Sequence, residues 1–332
     1  MPNPTLTDQS LKMTTGIQPL PDVLSGERRT LHDTPAGMIS YYVDGPARSN
    51  PTPDPDEQPP MLLLHSINAS PSAHEIKPLY DAYKTRRRVY AIDLPGFGHS
   101  ERSDRPYRQP LMVDAILALI DEIRSENPAQ SVDAIAVSLS CEFLAKAARQ
   151  VPESIRSLAL VSPTGFARIT KTHGPPEANC GIPRVYRVLN WPLFGRTLFR
   201  LLTSRPVIRF FLRKTWGSKQ IDEEMFHTSC RMARHPGAHH APFNFVAGYL
   251  FSADIPSVFH ELEQPVWLVH GVRGDFTDFS RSDKVADKPN WRITALQTGA
   301  MPYFEIPEEF VSAYDDFLAK VNARQAVGSN QV

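Results

Sequence analysis

Short apolar runs that each end in a polar or glycine-containing loop recur along the chain. They are MISYYVDG (38–45), MLLLHS (61–66), RRVYAIDLPGFGHS (87–100), SVDAIAVS (131–138), IRSLALVSPTG (155–165), PVWLVHG (265–271) and WRITALQTG (291–299). Uninterrupted apolar runs of this length are typical of strands that are buried on both faces of a parallel sheet. We therefore predict a strand in each run, with a polar loop at its carboxyl end.

Helices are predicted between these strands. They cover PLMVDAILALIDEIRSE (110–126), where apolar residues recur three and four apart, LSCEFLAKAARQ (139–150) and EEFVSAYDDFLAKVNA (308–323). Strands that alternate with helices indicate an α/β fold with a doubly wound, mostly parallel sheet. Ligands bind such sheets at the carboxyl ends of the strands.

Two segments interrupt this alternation. Residues 166–262 are helical in tendency and rich in arginine and aromatic residues, so we predict a helical lid inserted between two core strands. Residues 46–60 contain six prolines and are predicted to be an exposed connector. The predicted divisions of the chain are a loose arm at 1–35, a core at 36–165 and 263–325, the lid at 166–262, and a tail at 326–332.

Ser138 lies where a predicted strand meets a predicted helix, in the sequence Ala136-Val137-Ser138-Leu139-Ser140. A nucleophile on such a tight turn needs small residues two positions to either side, and alanine and serine here replace the usual glycines. The turn would project the serine Oγ above the sheet. It would also place the backbone N–H of Leu139 at a helix N-terminus, where it can stabilise an oxyanion. A purely structural strand-to-helix turn also favours small residues.

Four segments together resemble the α/β-hydrolase superfamily over about residues 36–325. The segment at 62–70 is similar to an oxyanion loop that usually reads HGxxxS, with Ser66 in the glycine position, and the segment at 93–104 resembles the DxPGxGxS loop. AVSLS (136–140) resembles the serine turn, and MPYFEIPEEF (301–310) the stretch after the last strand. The resemblance implies acyl or related small-molecule chemistry, with Ser66, Ile67 and Leu139 around the oxyanion.

The histidine that serves this family as catalytic base is missing. It should follow the glycine after the last strand, but the sequence there reads Gly299-Ala300-Met301, and no histidine occurs after His270. Ala300 therefore occupies the histidine position. The acidic residue is displaced as well: Asp275 stands one residue later than the usual GxxD spacing, and Asp278 is a second candidate. A structural aspartate in a turn would give the same pattern.

Three hypotheses follow from this departure. The first is a hydrolase of a small or acyl carboxylic ester or thioester that uses Ser138 and Asp275 with a displaced base, namely His239, His240 or His270. Each of these histidines taken singly fits a packing or surface role better. The second is a lyase or isomerase that uses the oxyanion donors alone, and the third is a ligand-binding protein without activity. The retained serine turn and oxyanion loop favour the first hypothesis.

The segment 184–216 has eight basic residues and no acidic one, interleaved with leucine and phenylalanine. We predict a basic amphipathic helix pair split by Pro192 and Pro206. It could admit an acyl chain, contact an anionic headgroup at a membrane surface, or bind a protein partner. An ordinary lid with solvated arginines is the favoured interpretation.

Composition limits the partners and the compartment. Basic and acidic residues number 36 each, which excludes a global attraction to nucleic acid. Three cysteines without CxxC spacing indicate a reducing compartment, and no apolar run approaches the ~20 residues of a membrane span. The first 30 residues do not match a secretory or transit signal. We predict a cytoplasmic protein that needs no metal or cofactor and acts on an apolar or acyl small molecule.

Overall fold

A computed structural model describes residues 19–46, 58–127, 130–168, 175, 177–191 and 193–329 of the chain, with side chains up to residue 324. Most of the predicted connector at 46–60, the start of the predicted arm and the last residues of the predicted tail therefore lie outside the described residues.

Eight strands form one sheet in the described part of the chain. In chain order they are β1 (Glu27–Thr34), β2 (Gly37–Asp44), β3 (Met61–Leu64), β4 (Val89–Asp93), β5 (Val132–Val137), β6 (Ile155–Val161), β7 (Val266–Gly271) and β8 (Trp291–Leu296). Their spatial order is β1-β2-β4-β3-β5-β6-β7-β8. The pairs β1–β2 and β2–β4 are antiparallel, and all pairs from β4 to β8 are parallel. The predicted mostly parallel α/β sheet is confirmed.

Helices flank this sheet and fill the long connection between β6 and β7. They are α1 (Lys77–Tyr83), α2 (Gln109–Glu126), α3 (Ser140–Gln150), α4 (Pro183–Leu189), α5 (Gly195–Leu202), α6 (Arg205–Trp216), α7 (Glu223–Met232), α8 (His240–Val246), α9 (Ile255–Glu261), α10 (Asp283–Ala286), α11 (Pro302–Glu305) and α12 (Pro307–Ser329). Across the described ranges, none of the helices is both long and apolar enough to cross a membrane.

The first strand corrects the predicted N-terminal arm. Residues 27–34 pair with β2, with Glu27 opposite Val43 and Leu31 opposite Ile39. The prediction of a loose arm up to residue 35 was therefore wrong for this stretch. The polar sequence ERRTLHDT shows no apolar run because β1 is an edge strand, and its side chains are exposed or half-buried.

The basic segment 184–216 forms three helices, α4 to α6, and not the predicted pair. Pro206 lies in the first turn of α6, where the missing N–H of proline costs nothing, so it begins a helix and does not divide one. Pro192 lies outside the described residues.

The central strands are buried on both faces because alternate side chains enter two different cores. Leu62 and Leu160 pack on the face covered by α2 and α3. Leu63 and Val161 pack on the opposite face, which is covered by α1 and α12. Successive side chains of a strand point to opposite faces, so a strand between two helical layers is apolar at most positions.

Asp93, the last residue of β4, organises the loops at the carboxyl edge of the sheet. Its buried carboxylate accepts hydrogen bonds from the backbone N–H of Ala73 (2.8 Å) and of His99 (2.9 Å). Gly98 lies against this carboxylate with a φ of 51°, and a Cβ at that position would overlap it. The second glycine of the DxPGxGxS loop is therefore required by its close packing on the aspartate.

Asp133 anchors the opposite edge of the sheet. Its fully buried carboxylate accepts hydrogen bonds from Arg87 Nη2 (2.6 Å) and Arg156 Nε (2.9 Å), and from the Ser157 hydroxyl. Burial favours the neutral acid, but the two guanidinium groups hold the pKa of Asp133 below its usual range. The three strands β4, β5 and β6 are thus joined at their amino ends by one ionic cluster.

We expect Asp133→Ala to reduce the free energy of unfolding by about 3–5 kcal/mol, because it leaves two buried guanidinium groups without a counter-charge. Urea denaturation followed by circular dichroism measures this loss. Asp121→Ala, at an exposed position of α2, is the matched control and should change stability by no more than ~0.5 kcal/mol. Equal effects of the two substitutions would contradict the anchoring role.

Candidate active site

Ser138 lies in the tight turn between β5 and α3. Its φ is 56°, a left-handed conformation that is unfavourable for a residue with a side chain. Its backbone N–H donates to the carbonyl of Val161 on β6 (2.8 Å), which holds the turn against the neighbouring strand. The side chain is half-buried and faces a cavity. Among the described residues, Ser138 Oγ has no hydrogen-bond partner.

The small residues around Ser138 are closely packed. The Ser140 hydroxyl donates to the carbonyl of His65 in the loop after β3 (2.6 Å), so this serine binds the start of α3 to that loop. Cys141 Sγ donates to the carbonyl of Ala136 (3.2 Å), and burial raises the pKa of the Cys141 thiol well above its usual range. Cys141 is therefore a neutral packing residue behind the serine.

The three residues predicted around the oxyanion differ in what their backbone N–H groups do. That of Ser66 donates to Glu75 Oε2 (3.0 Å) and is already used. Those of Ile67 and Leu139 have no acceptor in the described part of the chain. Leu139 is also the N-cap of α3, where the helix dipole favours negative charge. Ile67 and Leu139 are therefore the available donors.

The cavity in front of Ser138 has a volume of about 340 Å³. Its polar lining comes from Ser138, Glu142, Ser162, Thr164, Asp275 and Asp278, and its aromatic walls from Phe251, Phe276 and Phe279. Within the described residues, none of the side chains that line this cavity is a histidine.

Ala300, at the position where the family has its histidine, forms hydrogen bonds through its backbone. The Ala300 N–H donates to the carbonyl of Thr215 near the end of α6 (2.9 Å), and the Ala300 carbonyl accepts from Ser162 Oγ (2.8 Å). A Cβ on Gly299 would overlap the backbone of Trp216. The end of α6 therefore packs directly onto the loop after β8.

The two candidate acidic residues both lie at the cavity, and neither contacts an imidazole of the described residues. Asp275 is exposed and forms an ion pair with Lys214 Nζ (3.2 Å). Asp278 accepts hydrogen bonds from Ser280 Oγ (2.7 Å) and from the backbone N–H of Arg168 (2.9 Å). These bonds lower the pKa of Asp278.

The three histidines predicted as displaced bases lie in other surroundings. His239 packs against His240, with ring centroids 4.0 Å apart, and burial lowers the pKa of His239 to about 4. His240 Nδ1 is 3.3 Å from Asp104. His270 stacks on Phe279 with ring centroids 4.0 Å apart, and its Nδ1 is 2.9 Å from the carbonyl of Gly271. A role as base stays a prediction for each, with no contact to Ser138 to support it.

Glu142, on the first turn of α3, is a cavity residue that the sequence analysis missed. Its carboxyl group is fully buried and accepts hydrogen bonds from Thr164 Oγ1 and from the backbone N–H of Ser252 (2.8 Å). Burial raises the pKa of Glu142 to about 7, against the lowering effect of these two donors. An acidic residue in the first turn of a helix usually faces solvent, so the sequence position of Glu142 does not predict its burial.

The comparisons with known proteins agree with this geometry. A family model described as alpha/beta hydrolase fold matches residues 59–185. A pimeloyl-[acyl-carrier protein] methyl ester esterase from Nitrosomonas europaea is 24% identical over 270 residues, which cover 77% of this chain and 94% of that protein.

Two solved structures extend the likeness to nearly the whole chain. A thermophilic esterase from Thermogutta terrifontis has a TM-score of 0.64 at 15% identity, covering 90% of this chain and 100% of that one. An enol-lactonase from Burkholderia xenovorans has a TM-score of 0.63 at 17% identity, covering 88% and 100%. With the sheet order, these matches show that the chain has the alpha/beta hydrolase fold.

Proposed function

We propose that this chain is an ester hydrolase with Ser138 as its nucleophile. The observation that carries the proposal is the left-handed turn that presents Ser138 to the cavity. The N–H groups of Ile67 and of the adjacent Leu139 have no acceptor among the described residues and are the oxyanion donors we propose. A nucleophile and a pair of oxyanion donors are the two components that acyl transfer needs besides a base. The esterase relative supports the same reaction type.

In this reaction Ser138 Oγ attacks the ester carbonyl carbon, and the oxyanion that forms accepts hydrogen bonds from Ile67 and Leu139. The alcohol leaves, and water then hydrolyses the acyl-serine. Removing one oxyanion donor from an enzyme of this kind typically costs ~10²–10³-fold in rate. The base is atypical, because Ala300 stands where the family has histidine.

The aromatic walls of the cavity favour an ester with an apolar acyl chain. Phe251, Phe276 and Phe279 line it beside Ser138, and a volume of about 340 Å³ suits a small or medium-sized acyl group. The named relative acts on a methyl ester of an acyl group, which fits this substrate class.

We keep the cytoplasm, inferred from the cysteine content, as the proposed compartment.

A second candidate is a binding protein or a non-hydrolytic enzyme on the same scaffold. It is favoured by the alanine at position 300, where α6 packs onto the loop after β8 and no imidazole is present. Product analysis separates the candidates, since only hydrolysis gives equal amounts of acid and alcohol.

We expect Ser138→Ala to reduce the hydrolysis of p-nitrophenyl acyl esters by at least ~10³-fold, because the nucleophile is lost while binding is kept. Release of p-nitrophenol, followed over a series of acyl chain lengths, measures the effect. Ser125→Ala, at an exposed position of α2, is the matched control and should retain full activity. Undiminished turnover in Ser138→Ala would exclude Ser138 as the nucleophile.

The insertion at 166–262 presents an apolar surface to solvent, and we propose that it acts as a lid that contacts an anionic membrane surface. Nine of the twelve exposed large apolar side chains in the described chain fall within residues 182–211. Leu193 is 87% exposed and Leu201 is 64% exposed. The nine exposed apolar side chains are those of Ile182, Val188, Trp191, Leu193, Phe194, Leu201, Leu202, Phe210 and Phe211.

Basic residues alternate with these apolar residues along 184–216. Of the eight in 184–216, only Arg209 and Lys214 have acidic partners among the described residues, namely Glu223 and Asp275. Each basic residue near an anionic lipid surface contributes about 1 kcal/mol of attraction, and exposed apolar side chains add to this by leaving water. An exposed apolar and cationic surface is therefore complementary to anionic lipid.

We expect the protein to co-sediment with phosphatidylglycerol vesicles and to bind phosphatidylcholine vesicles at least ~10-fold more weakly, because the basic residues require an anionic surface. The double substitution Leu193→Asp/Leu201→Asp should abolish sedimentation. Val246→Asp, at an exposed apolar position of α8, is the matched control and should bind normally. Self-association without vesicle binding, seen by light scattering, would assign the surface to a second copy of the chain.

A further inference from the structure

We propose that the Glu142 carboxylate takes the proton of Ser138 during attack on the ester, in place of the family's histidine. This inference rests on the proposed hydrolysis at Ser138. It is carried by the position of both side chains on one cavity, which no histidine lines in the described part of the chain.

The helix that begins at the serine turn brings the two groups together. Ser138 directly precedes the N-cap of α3, and Glu142 lies four residues further along. Both residues line the cavity at this end of α3, Ser138 from the turn and Glu142 from the first turn of the helix. A cavity of about 340 Å³ leaves room for a water beside a bound ester, so the proton can pass directly or through one water.

Two hydrogen bonds fix the orientation of the Glu142 carboxyl group. Thr164, in the loop after β6, donates to Oε1, and the backbone N–H of Ser252 in the insertion donates to Oε2. A carboxylate has about four acceptor positions, so each oxygen keeps one for a proton from the cavity. Thr164 and Ser252 therefore act as the family's acidic residue does for histidine: they orient the base.

Burial and the neighbouring groups together place the pKa of the Glu142 carboxyl group near neutral pH. Burial raises its pKa to about 7, which is opposed by the bonds from Thr164 and Ser252 and by the charge of Lys146 on α3. A base is most effective when its pKa is near the working pH.

Lys146 does not hold Glu142 fully ionised because two other carboxylates share it. Lys146 Nζ is 3.1 Å from Asp254 and 3.2 Å from Glu177. Asp275 and Asp278 are the other acidic residues that line this cavity in the described part of the chain. Cys141, the adjacent residue on α3, carries no charge because burial raises the pKa of its thiol.

Glu142 accepts and returns each proton that moves in the reaction. As Ser138 Oγ bonds to the carbonyl carbon, its proton moves to Glu142 and the carbonyl π electrons move to oxygen. Collapse of the oxyanion breaks the bond to the alcohol, which leaves with the proton from Glu142. A water then attacks the acyl-serine and gives its proton to Glu142, and Ser138 recovers that proton as the acid leaves.

The decisive variant is Glu142→Gln, which keeps the shape and removes the base. We expect kcat/KM for a p-nitrophenyl ester to fall by ~10²–10⁴-fold. In the unsubstituted protein kcat/KM should rise with pH through about 7, since the carboxylate is the active form, and this rise should vanish in Glu142→Gln. Glu261→Gln, an exposed carboxyl on α9, is the matched control and should keep both rate and profile.

A second variant tests the titration without removing the carboxyl group. Thr164→Val deletes a donor that lowers the pKa of Glu142, so the rise of kcat/KM should move to higher pH. A purely structural role for Glu142 would change KM or stability and leave the position of the rise unchanged. That unchanged position would overturn the proposal even if Glu142→Gln failed to fold.

The proposed role of Glu142 and the proposed ester hydrolysis at Ser138 can be disproved separately. If Ser138→Ala is inactive while Glu142→Gln keeps the rate and the pH profile, Glu142 is not the base and ester hydrolysis at Ser138 stands. If the unsubstituted protein neither hydrolyses esters nor reacts with a fluorophosphonate at Ser138, the proposed function fails and the role of Glu142 fails with it.

Discussion

The left-handed backbone of Ser138 is the constraint on which the rest of the site depends. A φ of 56° at a residue with a side chain is unfavourable, and the surrounding structure enforces it through the hydrogen bond from Ser138 to Val161 and that from Ser140 to His65. This turn directs one hydroxyl into the cavity and leaves the Leu139 N–H unpaired beside it. It also starts α3 at the point that brings Glu142 to the cavity wall. The positions of the proposed nucleophile, the proposed oxyanion donor and the buried carboxyl group all depend on this one turn.

The loop in which the family's histidine would stand is packed against the insertion. The end of α6 packs on the loop after β8 and on the loop after β7, where Lys214 also pairs with Asp275. The acid–base group we propose lies on the other side of Ser138, where the loop after β6 and the insertion meet α3. In this proposal the base lies on the other side of Ser138 from the usual histidine position, and the proposed oxyanion donors stay the same.

The sequence predicts most of the fold because buried parallel strands need apolar residues at nearly every position, as Leu62 to Leu64 and Ile135 show. It fails for β1, since an edge strand with solvated side chains resembles a loop. The serine turn is predictable because only small residues fit around Ser138. Glu142 is not, because its burial depends on Ser252 in the insertion, 110 residues away. The surroundings of His239 and His240 likewise depend on how the insertion folds, which local patterns do not specify.

The central claim is that Ser138 forms a covalent acyl intermediate. Mixing the protein with excess p-nitrophenyl acetate, quenching in acid within the first turnovers and digesting with protease would trap that intermediate for peptide mass spectrometry. The account predicts a single acetyl group on the peptide that contains Ser138, and its loss on longer incubation after the ester is consumed. Ester consumption with no acetyl group on that peptide, or with the group on another residue, would contradict it.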